Sequence, residues 1–475
     1  MELFLIILVL VVGFYMLWNM GANDVGNAVG TSVGSGAITL KKAIIIAAVL
    51  EFAGALTLGS NVSETIKSGI INPIQFQYDP YIFVFGMISA LLATAIWVQI
   101  ATFFRWPVSI THAIVGAVIG FGSIVVGVHS VQWSVVGTIA ISWVLSPALS
   151  GIIAYIFFSF VQRKILFAYN PLLATKRIAP YLVFLVLFTF IMSTITNGIE
   201  NLHIKFSLPV VILISITVGL IGAIICRFIV KKIHLDSKIN PEVASRQEQQ
   251  LYSLGKAHKH LIRAKLASSG KTSQDIGELV SSVGTIKNDV GDKTKWESHL
   301  SADYRAVERI FAGLQIITAC FVAFAHGAND VANAIGPVSA VLQVIKNPLS
   351  IATQTFIPIW LLIFGGAGII IGLATYGWRV IETIGKNITQ LTPTRGFSAE
   401  FAAASTILIA SKLGLPISTT HSIVGAVLGV GVARGLSSLN FPLIRDIFLS
   451  WIITIPSAAV ISVIFFYFFK FFFIT

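Results

Sequence analysis

Apolar stretches long enough to cross a bilayer recur along nearly the whole chain, separated by short polar turns. They cover about 3–20, 43–60, 81–104, 108–128, 133–160, 180–196 and 208–229. After one long polar segment come about 310–325, 355–378, 398–412, 415–433 and 443–471. A span needs roughly 20 mostly apolar residues. The pattern therefore predicts an all-α, polytopic membrane protein with about 12 spans in groups of five, two and five, some of them broken or re-entrant. The first run, Leu3 to Trp18, lacks a basic leader and a small-residue cleavage site, so it reads as a retained span rather than a signal peptide. The exception is 231–308, which is polar and carries 13 basic and 10 acidic residues. Within it, Glu242 to Leu266 has the polar-amphipathic pattern of a helix.

Composition narrows the class. Of 475 residues, 56% are hydrophobic and only 11% charged, against about 25% charged in an average soluble domain. An ordinary soluble enzyme, a disordered chain and a disulfide scaffold are excluded. Cys226 and Cys320 both sit in apolar stretches, and two cysteines make neither a disulfide framework nor a zinc site. Ser269-Gly270-Lys271-Thr272 imitates the end of a phosphate-binding loop. The glycine that such a loop needs five positions earlier is Lys265, and no hydrophobic strand precedes it. No ATPase, and no enzyme of another kind, is expected.

The net charge of +12 would suggest nucleic acid in a soluble protein. Here the charge lies mostly between spans and sets orientation instead. Arg163, Lys164, Lys176 and Arg177 share one loop, and Lys231 and Lys232 open the long one, while the intervening hairpin has only Lys205 at its turn. Both basic loops should be cytoplasmic. Counting crossings then puts both termini outside, and Lys41, Lys42, Arg105, Arg379, Arg395 and Arg434 inside.

The chain also repeats itself. Asn19-Met-Gly-Ala-Asn-Asp-Val-Gly-Asn-Ala-Val-Gly30 matches Ala325-His-Gly-Ala-Asn-Asp-Val-Ala-Asn-Ala-Ile-Gly336. Pro107-Val-Ser-Ile-Thr-His-Ala-Ile-Val-Gly-Ala-Val118 matches Pro416-Ile-Ser-Thr-Thr-His-Ser-Ile-Val-Gly-Ala-Val427. The offsets, 306 and 309, nearly coincide, and Glu64-Thr-Ile echoes Glu382-Thr-Ile. The expected organisation is a first repeat over 1–160, a two-helix hairpin over 161–230, a cytoplasmic loop over 231–308 and a second repeat over 309–475. By the crossing count the second repeat is inverted relative to the first. Inverted halves are the mark of secondary transporters, with the substrate site at the repeat interface.

The repeated motifs carry chemistry. Asp24 and Asp330 each follow an asparagine, Asn23 and Asn329, inside a membrane segment. A carboxylate there is costly unless it meets a cavity, a cation or a proton. Asn27 and Asn333, four residues beyond Asn23 and Asn329, add amide oxygens on the same helical face. Hard oxygens suit a small hard cation, and the flanking glycines allow helix breaks that would free backbone carbonyls. The bland alternative is small-residue helix packing with asparagine as glue. Pro107-Val-Ser109-Ile-Thr111-His112 and Pro416-Ile-Ser418-Thr419-Thr420-His421 read as helix N-termini, with proline in the first turn and hydroxyl caps. Two such ends could converge on a phosphate-like or sulfate-like anion; the bland alternative is simple capping. Carboxylates beside an oxyanion make electrostatic sense only with a cation or proton between them, which argues for cation-coupled anion symport. Glu51 and Glu400 are isolated membrane acids, hence candidates for cation or proton handling. Glu51 lacks an acidic counterpart near Ile369, so the halves are not equivalent. His112, His326 and His421 could titrate or serve as structural donors.

The two Gly-Ala-Asn-Asp-Val-x-Asn-Ala motifs, the two Pro-x-Ser-x-Thr-His motifs and Gly30-Thr-Ser-Val-Gly-Ser-Gly36 resemble the PiT inorganic phosphate transporters over roughly 1–160 and 305–475. The resemblance implies import of inorganic phosphate with sodium or protons, an inverted-repeat fold in the plasma or inner membrane, and a homodimer, with no cofactor. It puts the important acids at Asp24, Glu51, Asp330 and Glu400 and the second-copy histidine at His326. The anion-contacting hydroxyls fall at Ser109, Thr111, Ser418, Thr419 and Thr420. Departures are Gly26 for the usual alanine, and Ile110 where the second copy has Thr419, one hydroxyl fewer. Gly-Ala-Asn-Asp rather than a His-Asp variant favours sodium over protons, with sodium at Asn23, Asp24, Asn329 and Asp330. The polar loop resembles a variable cytoplasmic insert. The competing readings are a sulfate symporter, an anion channel and a phosphate sensor.

Overall fold

The computed structural model describes residues 2–71, 73–76, 78–104, 106–196, 206–233, 241–268, 270–292, 302–346, 357–377, 391–435 and 439–473. Arg105, Lys205, Ser269, Arg379 and Glu382-Thr-Ile lie outside the described residues. All twelve apolar runs fold as helices. In chain order the helices are α1 (Glu2–Gly34), α2 (Leu40–Glu64), α3 (Pro80–Phe103), α4 (Ile110–Phe121), α5 (Trp133–Val161), α6 (Pro171–Ile195) and α7 (Leu208–Lys231). Then come α8 (Pro241–Leu266), α9 (Gly270–Asp292), α10 (Ala302–Lys346), α11 (Ile359–Tyr376), α12 (Pro393–Lys412), α13 (Thr419–Arg434) and α14 (Phe441–Phe473).

Nine of these, among the described residues, are long and apolar enough to cross a membrane: α1, α2, α3, α5, α6, α7, α10, α11 and α14. This is an integral membrane protein. Outside this set, the shortest helices are α4, 12 residues, and α13, 16 residues. At 1.5 Å per residue they reach about 18 and 24 Å, short of the roughly 30 Å hydrocarbon core. The expected polar helix is α8; α9, which packs back on it, was not foreseen.

Two local expectations fail. The glycines of the Asn-Asp motifs do not break their helices. α1 runs on through the motif to Gly34, and α10 continues for 45 residues, past Pro337. The glycines release no carbonyl, although Pro337, which has no N–H, leaves the Asn333 carbonyl without its usual helical donor. The glycines instead let backbones touch. A Cβ on Gly21 would lie 2.0 Å from the Ile369 carbonyl oxygen of α11, and one on Gly327 would lie 2.0 Å from the Glu51 carbonyl oxygen of α2. The packing explanation is right for these glycines. Pro107 and Pro416 likewise miss the first turn. They stand in the extended lead-in, and Ser109 and Ser418 are the N-caps. A serine cap satisfies the third amide of the helix, which a proline in the first turn could not do.

These crossings exchange partners between the halves of the chain. α1 packs on α11 and α2 on α10, while α4 packs on α14 and α5 on α13. α6 and α7 pair with one another, and α6 also touches α10. The core falls into two apolar clusters, one around α3, α4 and the latter part of α10, the other around α12, α13 and the earlier part of α10.

Candidate functional site

Where α1 and α10 pass the two short helices, polar side chains are fully enclosed. Asn23, Asp24, Asn27, Asn329, Asp330 and Asn333 are each at most 2% exposed. Helical periodicity turns each trio toward the same interior. The asparagines then reach outward in a reciprocal pattern. Asn23 Nδ2 donates to Thr102 Oγ1 at 2.7 Å, at the end of α3; Asn329 meets Ser411 Oγ at 3.0 Å, at the end of α12. Turning the Asn329 amide keeps its link to Ser411 and adds donation to the Asp330 carboxylate at 3.2 Å. Asn27 Nδ2 donates to Thr420 Oγ1 at 2.8 Å, and Asn333 Nδ2 to Thr111 Oγ1 at 3.2 Å. Thr111 in turn donates to the Ile417 carbonyl at 3.0 Å, and Thr420 to the Val108 carbonyl at 3.2 Å. Each half therefore holds the helix entrance of the other.

The hydroxyls expected at an anion divide into two groups. Thr111, Thr420 and Thr419 donate to protein acceptors, Thr419 to Asp330 Oδ2 at 2.8 Å. Ser109 and Ser418 accept from the amides of His112 and His421, both at 3.2 Å. Capping leaves each serine its own hydroxyl proton. It also leaves the first two amides of each helix, at Ile110, Thr111, Thr419 and Thr420, without a partner one turn back. Those amides and two hydroxyls are the donors that an oxyanion would find.

The acids are not arranged evenly. His326, one residue before Gly327, lies between three carboxylates. Its Nε2 is 2.9 Å from Asp330 Oδ2 and 3.9 Å from Asp24 Oδ2, and its Nδ1 is 3.2 Å from Glu51 Oε1. The counterpart of His326 in the first half is Met20 and that of Glu51 in the second half is Ile369, both apolar. Asp24, His326 and Asp330 each offer a ligand atom within 4.8 Å of the others. Several enclosed acceptors here have no donor: Asn23 Oδ1, Asp24 Oδ1, Asn27 Oδ1, Asn333 Oδ1 and both Glu51 oxygens. A buried orphan of this kind costs about 1–3 kcal/mol, and one small hard cation relieves several at once.

Glu400 stands apart. From Thr31 to Asp24 is seven residues of one helix, roughly 10 Å, and Glu400 belongs to the Thr31 end. Its Oε1 accepts from Thr31 and Ser32, both at 2.6 Å, and from Gln315 at 2.9 Å; its Oε2 accepts from Thr318 at 2.7 Å. The matching positions of the other half are apolar, Leu91 among them. Residue-type reasoning passed over Thr31, Ser32, Gln315 and Thr318, since only Glu400 marks them. Thr102 and Ser411 were passed over too, although they stand at the same 309-residue offset as the helix-entrance motifs.

Known proteins share this arrangement of helices. The sequence profile of the phosphate transporter family matches residues 20–462. A Chlamydia pneumoniae protein carrying the name phosphate permease is 46% identical over 98% of both chains. The chloroplastic inorganic phosphate transporter 2-1 of Arabidopsis thaliana is 42% identical over 96% of this chain and 70% of its own. A solved structure described as the sodium-dependent phosphate transporter superposes with a TM-score of 0.79 at 35% identity, covering 98% of this chain and 99% of that one. With its motifs, helices and full-length relatives in agreement, the chain belongs to the phosphate transporter family.

Proposed function

We propose that this protein imports inorganic phosphate by symport with a cation, sodium before proton, in an alternating-access cycle. One observation carries the reading: an enclosed set of carboxylate and amide oxygens without donors adjoins two capped helix N-termini. Sodium at Asn23, Asp24, Asn329 and Asp330 satisfies the orphaned oxygens of Asn23 and Asp24 and cancels the repulsion that phosphate would otherwise meet. Phosphate then takes the first-turn amides with Ser109 and Ser418, while Thr111, Thr419 and Thr420 shape the entrance through the protein. Bound together, the two ions raise each other's affinity, and the coupling is reciprocal. Glu51 and His326 tune the charge beside Asp330, and Glu400 handles a cation about 10 Å away. The name of the sodium-dependent structural relative supports sodium.

The reading includes two inverted repeats over 1–160 and 309–475, both termini outside, 231–308 in the cytoplasm, and a homodimer. A second reading, proton coupling, draws on the contacts of His326 with Glu51 and Asp330.

Labelled phosphate uptake into proteoliposomes, under an inward sodium gradient or a proton gradient with excess sulfate present, tests the proposal. Sodium-driven uptake that ignores sulfate is the expected result. Uptake driven by protons alone would transfer the carboxylates and His326 to a proton relay. No phosphate uptake under either gradient would overturn the proposal.

A further inference from the structure

Between the two helix entrances lies a buried box of four rings that the transport reading leaves unused. His112 and His421 are the third residues of α4 and α13, 4% and 3% exposed. Their ring centroids are 4.4 Å apart and nearly perpendicular. Trp143 of α5 lies against His112 at 3.9 Å, and Trp451 of α14 stacks on His421 at 3.5 Å. Residue for residue, the box is the same in both halves.

Bond for bond it is not. Trp143 Nε1 donates to the Pro416 carbonyl at 3.3 Å, and the Trp143 carbonyl lies 3.3 Å from His421 Nδ1, which must be the donor because a carbonyl only accepts. The mirrored pair would join Trp451 Nε1 to the Pro107 carbonyl and His112 to the Trp451 carbonyl. The first of these bonds is not made: Trp451 Nε1 has no hydrogen-bond partner, while the Trp451 backbone faces His112 as the Trp143 backbone faces His421. Phenylalanine or leucine would fill this space with nothing left unsatisfied. A buried polar atom without a partner calls for an explanation, and here the other half of the molecule displays the partner it lacks.

We propose that Trp143 and Trp451 are positioning residues for the anion-binding helix ends, and that the indole bond to Pro416 made by the first gives way to one to Pro107 made by the second as the carrier turns over. In the described state Trp143 holds the entrance of α13; in the oppositely facing state Trp451 holds the entrance of α4. The inference rests on the alternating-access reading above, in which inverted halves trade conformations. The box gives that trade a latch on each side, only one of which is closed at a time.

Trp143→Phe removes the latch made in the described state, and Trp451→Phe the one made in the other. In oriented proteoliposomes the two variants should shift the apparent phosphate KM in opposite directions, each by about fivefold. The double variant should return near wild type. Shifts in one direction, additive losses or unchanged KM values would overturn the exchange. Hydrogen–deuterium exchange of the substrate-free protein separates this idea from the functional one. Trp143→Phe should lower protection over 416–422 and Trp451→Phe should raise it. Opposite shifts with no phosphate uptake by the wild type would overturn the phosphate reading and leave the exchange standing. Matching shifts with normal uptake would do the reverse.

Discussion

Asp24 and Asp330 occupy the same place in two copies of one motif, yet they live in different surroundings. Asp330 receives a hydroxyl from Thr419 at 2.8 Å and has His326 at 2.9 Å, with Glu51 on the far side of that ring. Asp24 has His326 at 3.9 Å and an oxygen with no partner, because the matching positions are Ile110, Met20 and Ile369. The scaffold is duplicated, from the asparagine contacts to the serine caps, but the charge is not. The difference teaches that duplication supplies the frame and divergence supplies the division of labour. The first-copy carboxylate keeps an oxygen without a partner, while the second is held by the protein.

The comparison can be broken first at the frame. Gly21→Ala and Gly327→Ala each drive a methyl carbon to within 2.0 Å of a backbone oxygen on a partner helix. Both should lose folded, membrane-inserted protein to a similar degree, since overpacking of this kind costs about 3 kcal/mol or more. Gly137→Ala and Gly313→Ala, with nothing within 4 Å, serve as controls. Size-exclusion profiles in detergent check this; normal profiles for either buried variant would remove the close approach as an explanation for its glycine.

Next comes the charge. Asp24→Asn and Asp330→Asn should abolish or uncouple uptake, at least tenfold by about 1.4 kcal/mol of lost cation binding, while the protein stays inserted. Sodium-dependence curves check it, and normal coupled uptake in both would end the cation assignment. Ser109→Ala with Ser418→Ala removes two anion donors and two caps, each cap worth about 1 kcal/mol. Apparent phosphate affinity should fall several-fold more than sodium affinity. The smallest effect sharpens the comparison most: Thr419→Val should weaken apparent sodium affinity about threefold to fivefold, and Ile110→Thr should make the Asp24 side resemble its twin. An unchanged sodium dependence in both would show that the hydroxyl at this position plays no part.

Much of this was legible before any coordinates. The twelve apolar runs all fold as helices, nine of them, among the described residues, long and apolar enough to cross a membrane, and the repeated motifs mark both capped entrances. Each Asn-Asp pair proved buried, as its cost in lipid demanded. What the sequence could not display was partnership. Gly21 and Gly327 look the same whether a helix breaks or another backbone approaches, because the deciding atoms, on Ile369 and Glu51, lie far off in the chain. Ile110 against Thr419 was visible as a difference, but that Thr419 serves Asp330 depends on how α10 passes α13. Glu400 was visible as an isolated acid, while its four donors come from α1 and α10. α9 was legible too, since Ile276, Leu279, Val280, Val283 and Ile286 recur at helical spacing.

The partner exchange between halves also sets a timetable for synthesis. α1 is complete about 270 residues before α10 begins and is made to fit against α11, which comes later still. At roughly 5–20 residues per second the nascent chain waits on the order of 10–50 s. During that interval the notch at Gly21, and the carboxylate three residues beyond it, face the membrane without their eventual neighbours. Whatever assists insertion must shelter an unfinished half rather than a finished domain, and the last helices to emerge are those that release it.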